Sequence, residues 1–407
     1  MTKTAIINPN GRIPAPFAAI EPPLYAQLIA GYLESKGERC IIIDSEAMGD
    51  TAERTIRFVD DLCYCDEIII VVMGNNPSVS STPKMLVAEE LLKHWPHAKL
   101  VGLHPVAVNH PNAIAHPFEG CPKLGGWVNP AYYRAHNWHC LDDLARRSPY
   151  AVLYTSLNCP FACFYCNVHA LYGDRQVRHR PHAHIWEDLH YFAKFHIRNI
   201  KIWDELFTLN PHIVEALCEY IEANGFDFNM WAYARVDTIQ PRMLAKMKKA
   251  GINWLAYGFE SARDEVRLMS DKKFEDSTAK RAIDMTRDAG INIIANLMFG
   301  LPGETEDSMK ASLDMAIREN FEYVNFSVAL PYPGSPWYAS LKDKPTDWSF
   351  FGQFSPKIGA APGVVKFRDG AFQTYFARPE YLSMIRSKFG EQAEAHIKEM
   401  AGWKIRS

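Results

Sequence analysis

The first hundred residues alternate between short apolar runs and amphipathic stretches. The apolar runs fall at Thr4–Ile7, Cys40–Ile43, Ile68–Met73 and Leu100–Leu103. Between them, apolar positions recur with helical spacing at Leu24–Ser35, Ala52–Leu62 and Pro83–His94. Short β-branched runs alternating with helical periods predict βαβ units in a parallel sheet. Each run ends in turn residues: Asn8-Pro9-Asn10-Gly11, Asp44-Ser45, Gly74-Asn75-Asn76-Pro77 and His104-Pro105. Ligands of such sheets gather at those strand ends. Neither a G-x-G-x-x-G nor a G-x4-G-K-[ST] pattern is present, so dinucleotide and P-loop readings lack support.

A second beat starts at Tyr150. Strands are expected at Ala151–Ser156, Ile200–Trp203, Phe228–Tyr233, Trp254–Gly258, Ile291–Phe299 and Tyr323–Val328. Helices are expected at His184–Phe195, Pro211–Asn224, Pro241–Ala250, Asp276–Ala289 and Glu304–Glu319, with Gly225, Gly251 and Gly290 closing three of them. Six β-α repeats predict a partial barrel of the TIM type, with active residues at the strand C-terminal ends. Residues 106–150 lack periodicity and read as a linker packed on both domains. Glu380–Phe389 and Glu391–Trp403 read as helices of a cap over the barrel mouth. The expected class is α/β: a Rossmann-like sheet domain (1–140), a (β/α)6 barrel (141–335) and a C-terminal helical cap (336–407).

Composition narrows the function classes. The 407 residues suit two or three domains at ~150 residues each. A hydrophobic share of 48% excludes wholesale disorder. A net charge of −3 gives no global sign of a nucleic-acid partner. Nothing resembles a membrane span of ~18 apolar residues or a signal peptide, so a cytoplasmic location with reduced thiols is expected.

Nine reduced cysteines then turn attention to spacing. Cys159, Cys163 and Cys166 form C-x3-C-x2-C directly after the first barrel strand. Three thiolates on one loop can each hold one iron of a four-iron cube, leaving the fourth iron open to another ligand. A zinc site is the alternative, with His169 closing the tetrahedron. Cys40 and Cys218 read as buried small hydrophobes. Cys63, Cys65, Cys121 and Cys140 show no convincing pattern.

The cysteine motif in this setting resembles the radical SAM superfamily, over residues 150–335. The resemblance implies a 4Fe–4S cluster on Cys159, Cys163 and Cys166, whose open iron chelates S-adenosylmethionine. Further pieces follow in the family's order. Tyr165 matches the aromatic before the third cysteine. Asp204 or Glu205, in Trp-Asp-Glu after the second strand, matches the acid that receives the methionine amino group. Arg235 looks like the partner of the methionine carboxylate. Glu260 and Ser261 belong to Gly-Phe-Glu-Ser, similar to a motif at the ribose or carboxylate. Gly300 and Leu301 open Gly-Leu-Pro-Gly-Glu, beside the adenine in that family, and Pro331 opens Pro-Tyr-Pro-Gly-Ser, the turn after the sixth strand.

The N-terminal half resembles the cobalamin-binding domain that precedes many radical SAM domains. The resemblance places Asn8, Pro23, Leu24, Ser81, Thr82 and His104 at the cofactor. The D-x-H-x-x-G motif of other cobalamin domains is missing; Asp188-Leu189-His190 lies in a helical stretch with no following Gly. The implied activity is that of a radical SAM enzyme using cobalamin to methylate an unactivated carbon of a small polar metabolite. It would draw on a one-electron donor such as flavodoxin or ferredoxin, and on no nucleic acid or membrane. Arg178, Arg180 and Tyr332 are the substrate candidates, the arginines for a phosphate or phosphonate. Their structural alternatives are ion pairs to the helix that follows and core packing. The alternative reaction is rearrangement, dehydrogenation or cyclisation without cobalamin. Methylthiotransfer to tRNA would need a second three-cysteine cluster, and the remaining cysteines do not supply one.

Overall fold

The computed structural model describes residues 3–11, 17–62, 64–72, 77–102, 111–114, 120–126, 128–345, 351 and 363–403, with backbone alone at 62 and 77–83. In the N-terminal unit, β1 (Lys3–Asn8), β2 (Arg39–Asp44), β3 (Glu67–Val72) and β4 (Lys99–Gly102) form a parallel sheet of order β2-β1-β3-β4. Strand alternation sends Ala5, Ile7 and Val72 to one face, against α3 (Ala52–Leu62) and α4 (Pro77–His94). A short α2 (Ser45–Met48) precedes α3, and α4 starts at Pro77 rather than at the expected Pro83. Ile6, Ile69 and Val71 face α1 (Leu24–Ser35) on the other side.

Helix α1 is buried almost all round, because its far side meets the second unit. Val152, Tyr154, Leu157 and Trp203 of that unit share one apolar cluster with Leu24, Tyr25 and Leu28. The Tyr25 ring meets Trp203 edge-on at 5.9 Å.

The second unit is a six-stranded, all-parallel sheet. It starts at β5 (Tyr150–Leu153), from which β6 (Ser156–Leu157) continues to pair antiparallel with β7 (Arg178–His179) across the cysteine loop. The short α5 (Val168–Tyr172) lies within that loop. After α6 (His182–Lys194) the repeat runs through β8 (Asn199–Ile202), α7 (Pro211–Asn224), β9 (Asn229–Ala234) and α8 (Pro241–Lys249). It continues with β10 (Ile252–Glu260), α9 (Asp264–Met269), α10 (Asp276–Asp288), β11 (Asn292–Phe299), α11 (Glu306–Glu319) and β12 (Tyr323–Val328). The sheet order is β5-β8-β9-β10-β11-β12, a partial barrel. Gly225, Gly251 and Gly290 follow α7, α8 and α10 with φ of 64°, 86° and 72°, as the sequence suggests.

The linker segment floors this barrel. Trp138 meets Trp231 at 5.2 Å, Trp254 at 5.6 Å and Tyr323 at 5.9 Å, all on residues near the strand beginnings. Next to it His139 is fully buried; burial pulls its pKa down to about 3, and the neutral ring donates from Nε2 to the Asn229 carbonyl at 3.0 Å.

After α12 (Pro336–Ser340), the C-terminal helices depart from the expected cap over the mouth. Helix α13 (Val364–Phe376) lies along β12, with Val364 beside Gly300 at the strand-end face and Phe376 beside Tyr323 at the other. Helices α14 (Pro379–Phe389) and α15 (Glu391–Gly402) cover the end where the strands begin. There Phe389 stacks on Trp254 at 5.7 Å, and Tyr381 donates to the Glu322 carbonyl at 3.0 Å. The aromatic stripes of these helices need a large apolar surface, and the tryptophan-rich floor supplies it.

Candidate functional site

The site lies at the C-terminal face of the barrel. Asn158 shapes the start of the cysteine loop. It takes a left-handed backbone (φ 76°), accepts the Cys159 N–H on Oδ1 at 2.8 Å and donates Nδ2 to the Asp174 carbonyl at 2.9 Å. Asp204, after β8, accepts three hydrogen bonds from the chain after β5: the Thr155 N–H at 2.7 Å and the Thr155 and Ser156 hydroxyls at 2.6 Å each. Asp204 is thereby spent on fixing the loop. Its neighbour Glu205 accepts the Asn158 N–H at 3.0 Å and stands close enough to Cys159 and Cys166 to act on their charge. Burial pushes the Glu205 carboxyl up to about 7.

Cys159, Cys163 and Cys166 are half-buried. Burial raises Cys159 to about 11 and Cys166 to about 12, and the neighbouring thiols add to both. Mutual repulsion of this kind is relieved by a shared cation, so the donor set suits a thiolate-ligated cluster. Among the described residues no three His, Cys, Asp or Glu side chains form a ready metal cage. His169 directs Nε2 to the Cys159 carbonyl at 2.7 Å. A carbonyl only accepts, so that nitrogen carries its proton and offers no lone pair to zinc.

Two turns bolt the loop from above. The Phe164 N–H donates to the Ser270 carbonyl at 3.0 Å, its carbonyl accepts the Trp337 N–H at 3.0 Å, and Asn167 donates to the Pro333 carbonyl at 3.0 Å. Tyr165 packs in a small apolar cluster with Val266, Leu301 and Ala329. Pro331 and Tyr332 are buried in the same turn region.

The other expected contacts also converge on this face. The Arg235 guanidinium lies 3.8 Å over the Phe161 ring, inside the cysteine loop, and is gripped by Asp237 at 2.9 and 3.0 Å. Ser261 is buried, and its hydroxyl accepts the Arg263 N–H at 3.2 Å. Glu304 closes the Gly-Leu-Pro-Gly turn by accepting the Gly300 and Leu301 N–H groups at 2.7 and 3.2 Å; burial lifts it to about 7.

The substrate arginines are tied up within the chain. Arg180 is fully buried, 2.6 Å from Asp188 on α6 and stacked 4.4 Å over Tyr154, which corrects its assignment to an accessible anion site. Arg178 grips Asp174 at 2.7 and 3.0 Å. The Asp188-Leu189-His190 stretch is helix, with His190 bonded to the Tyr220 hydroxyl at 3.0 Å. In the N-terminal unit, Asn8 is buried, donating to Asp44 at 2.7 Å and accepting from Lys84. Pro23 and Leu24 are buried at the junction with the barrel. The Ser81 and Thr82 side chains and all of His104 lie outside the described residues, as does Cys63.

Sequence reasoning missed Lys272, Asp237, Trp138 and the Lys201–Glu21 pair. Asp237, two residues after Arg235, carried a local signal; the others are brought in by tertiary folding alone.

Residues 153–316 match the radical SAM superfamily, and this stretch is a radical SAM domain. The chain is similar to an uncharacterized methyltransferase of Pyrococcus horikoshii, 26% identical over 58% of this chain and 53% of the relative. It is also similar to a bacteriochlorophyllide d C-12(1)-methyltransferase of Chlorobaculum tepidum, 23% identical over 53% and 50%. The chain spans about half the length of these curated relatives. Among solved structures, its fold is similar to that of the radical S-adenosylmethionine methyltransferase TsrM from Kitasatospora setae, determined with cobalamin and a 4Fe–4S cluster bound. The TM-score is 0.69 and the identity 14%, over 98% of this chain and 99% of that one. Among the described residues, no helix is long and apolar enough to cross a membrane.

Proposed function

We propose that this chain is a radical SAM enzyme that methylates an unactivated carbon of a small polar metabolite with the help of cobalamin. The observation that carries the reading is convergence: three cysteine thiols on one loop share one face with Glu205, Arg235 and the Gly300 turn. When bound, a reduced cluster supplies the electron that cleaves S-adenosylmethionine to a hydrogen-abstracting radical, and methylcobalamin supplies the methyl group.

The chain's own residues bind and orient. Cys159, Cys163 and Cys166 hold three irons. Of the two acids after β8, Glu205 suits the methionine ammonium, because Asp204 already accepts three hydrogen bonds. Arg235 suits the carboxylate, pre-set by Asp237 and Phe161. Tyr165, Ser261, Gly300, Leu301 and Pro331 form the remaining wall, which excludes water from a reactive intermediate. Cobalamin belongs at the β1–β4 strand ends, beside α1. A fold alike along its whole length to a cobalamin-bearing enzyme supports that placement. A phosphate or phosphonate on the substrate would have to displace Asp174 from Arg178. The enzyme works in the cytoplasm with a flavodoxin- or ferredoxin-like donor.

One observation favours a second reading. Both amide atoms of Asn8 are engaged within the chain, as suits a sheet that holds no corrinoid. The same barrel would then perform rearrangement, dehydrogenation or cyclisation. Anaerobic reconstitution with hydroxocobalamin separates the two. About one corrinoid per chain retained through gel filtration supports methylation; loss of all corrinoid turns the assignment to the second reading. S-adenosylhomocysteine and 5′-deoxyadenosine in similar amounts then check methyl transfer.

A further inference from the structure

The last two barrel strands, β11 and β12, contain no charged residue. Along β12 exposure alternates: Tyr323, Asn325 and Ser327 are half-buried, and Val324, Phe326 and Val328 are buried. Residues two apart on a strand share a face. Tyr323 lies 5.9 Å from Trp138 on the floor, so the half-buried face looks into the barrel. On β11, Asn296 and Met298 are half-buried, and Met298 packs in the same apolar cluster as Tyr165 of the cysteine loop. The register pairs Asn296 with Asn325 and Met298 with Ser327. At a rise of ~3.3 Å per residue, the two asparagines stand about 7 Å above the layer of Tyr323 and about 7 Å below the layer of Met298.

Asn325 Nδ2 donates to Asn296 Oδ1 at 2.8 Å, and Asn296 Nδ2 donates to the Tyr257 carbonyl at 3.2 Å. Each bond uses one of the two hydrogens of its amide. Asn325 Oδ1 accepts no hydrogen bond from the described residues. Asn325 therefore keeps an acceptor and a donor side by side, half-exposed inside the barrel and held in place by Asn296. A purely structural ladder would spend this oxygen as well. Two ion pairs around this space are closed on themselves. Lys272 pairs with Glu260 at 2.7 Å beside Gly258, the β10 neighbour of Asn296. Lys201, in register with Trp231 at the floor, pairs with Glu21 at 2.9 Å. A charged group brought against Asn325 would lose its water without gaining a counter-ion of its own.

We infer that Asn325, oriented by Asn296, is a specificity-determining residue, and that the part of the substrate entering the barrel is an uncharged group with a donor and an acceptor side by side, as in a carboxamide or a lactam. This deepens the reading above and rests on it. Asn325 Oδ1 accepts from the N–H of that group, and the second Nδ2 hydrogen donates to its carbonyl. Asn296 fixes which way the Asn325 amide faces, because its own Oδ1 takes one Nδ2 hydrogen of Asn325. A site of this kind rejects a group that lacks either half of the pattern, since one polar atom of the asparagine is then left unpaired.

The test uses the full chain reconstituted with iron and sulfide, and three probes of one size: benzamide, benzoate and benzamidinium. Their Kd values are read by ligand-observed NMR in the presence of S-adenosylmethionine, for wild type, Asn325→Leu and Asn325→Asp. Wild type must first bind a cluster whose EPR spectrum changes on adding S-adenosylmethionine; failure there overturns the radical SAM reading, and the probes judge the inference separately. Wild type should bind benzamide about fivefold or more tightly than either charged probe. Asn325→Leu should weaken benzamide about fivefold or more, with thermal midpoint and EPR response unchanged. Asn325→Asp should turn the preference to benzamidinium, which a merely structural asparagine would not do. No benzamide binding by wild type, equal binding of all three probes, or wild-type benzamide affinity in Asn325→Leu would each overturn the inference. If Asn325→Leu does not fold, Asn325→Ser replaces it and Asn325→Asp decides: an unchanged order of the probes there overturns the inference equally.

Discussion

Lys201 on β8 and Glu21, from the segment leading into α1, form a buried ion pair with nitrogen–oxygen distances of 2.9 and 3.2 Å. The ammonium also lies over the rings of Trp203 at 4.2 Å and Trp231 at 5.0 Å. The pair joins the two units inside the barrel. Removing one partner strands a buried charge. Lys201→Met should therefore cost about 3 kcal/mol in urea unfolding, and adding Glu21→Gln should recover part of that loss. A double variant less stable than the single one would show that the pair does not behave as one unit.

Cys159, Cys163 and Cys166 sit on a half-buried loop that other residues hold in place. Replacing all three with Ala should abolish the iron–sulfur absorbance and 5′-deoxyadenosine formation. The thermal stability of the metal-free protein should change by only about 1 kcal/mol. Cluster absorbance surviving in the triple variant would remove the metal assignment.

Two acids at this face make stability depend on pH. Burial raises Glu205 and Glu304 from an ordinary 4.5 to about 7 each. Between those values the folded chain keeps protons that the unfolded chain has released. Stability of the metal-free protein should thus fall as pH rises from about 5 to about 7, by about 4 kcal/mol for the two groups together, and change little from these groups above that range. Glu205→Gln and Glu304→Gln should each flatten the slope. Thermal midpoints measured across pH check this, and a slope that survives both substitutions points to other groups.

Trp138 fills the floor among Trp231, Trp254 and Tyr323. Trp138→Ala removes a large buried ring and should destabilise the protein by about 3–5 kcal/mol, read by denaturant unfolding. A loss below about 1 kcal/mol would mean that the floor refills from its surroundings.

Much of the fold was legible because its signals are local. The β-branched runs and helix-closing glycines mark nearly every barrel element, and C-x3-C-x2-C marks the metal loop. What stayed hidden depends on distant partners. Arg180 looks like a free anion binder beside Arg178, yet Asp188 neutralises it only once α6 folds back. Nothing around Lys272 indicates that it turns inward to Glu260. The aromatic C-terminal helices suit a lid as well as a floor, and only the tryptophan surface beneath the strands, against which they pack, decides between them.

The residues that join the two units also seal the barrel from below. A chain starting at β5 would lack Trp138 and His139, and Trp231, Trp254 and Tyr323 would lose the ring packed among them. The N-terminal unit is consequently no detachable accessory. A graft from a relative would have to carry residues 130–148 with it to keep the ring of Trp138 among Trp231, Trp254 and Tyr323.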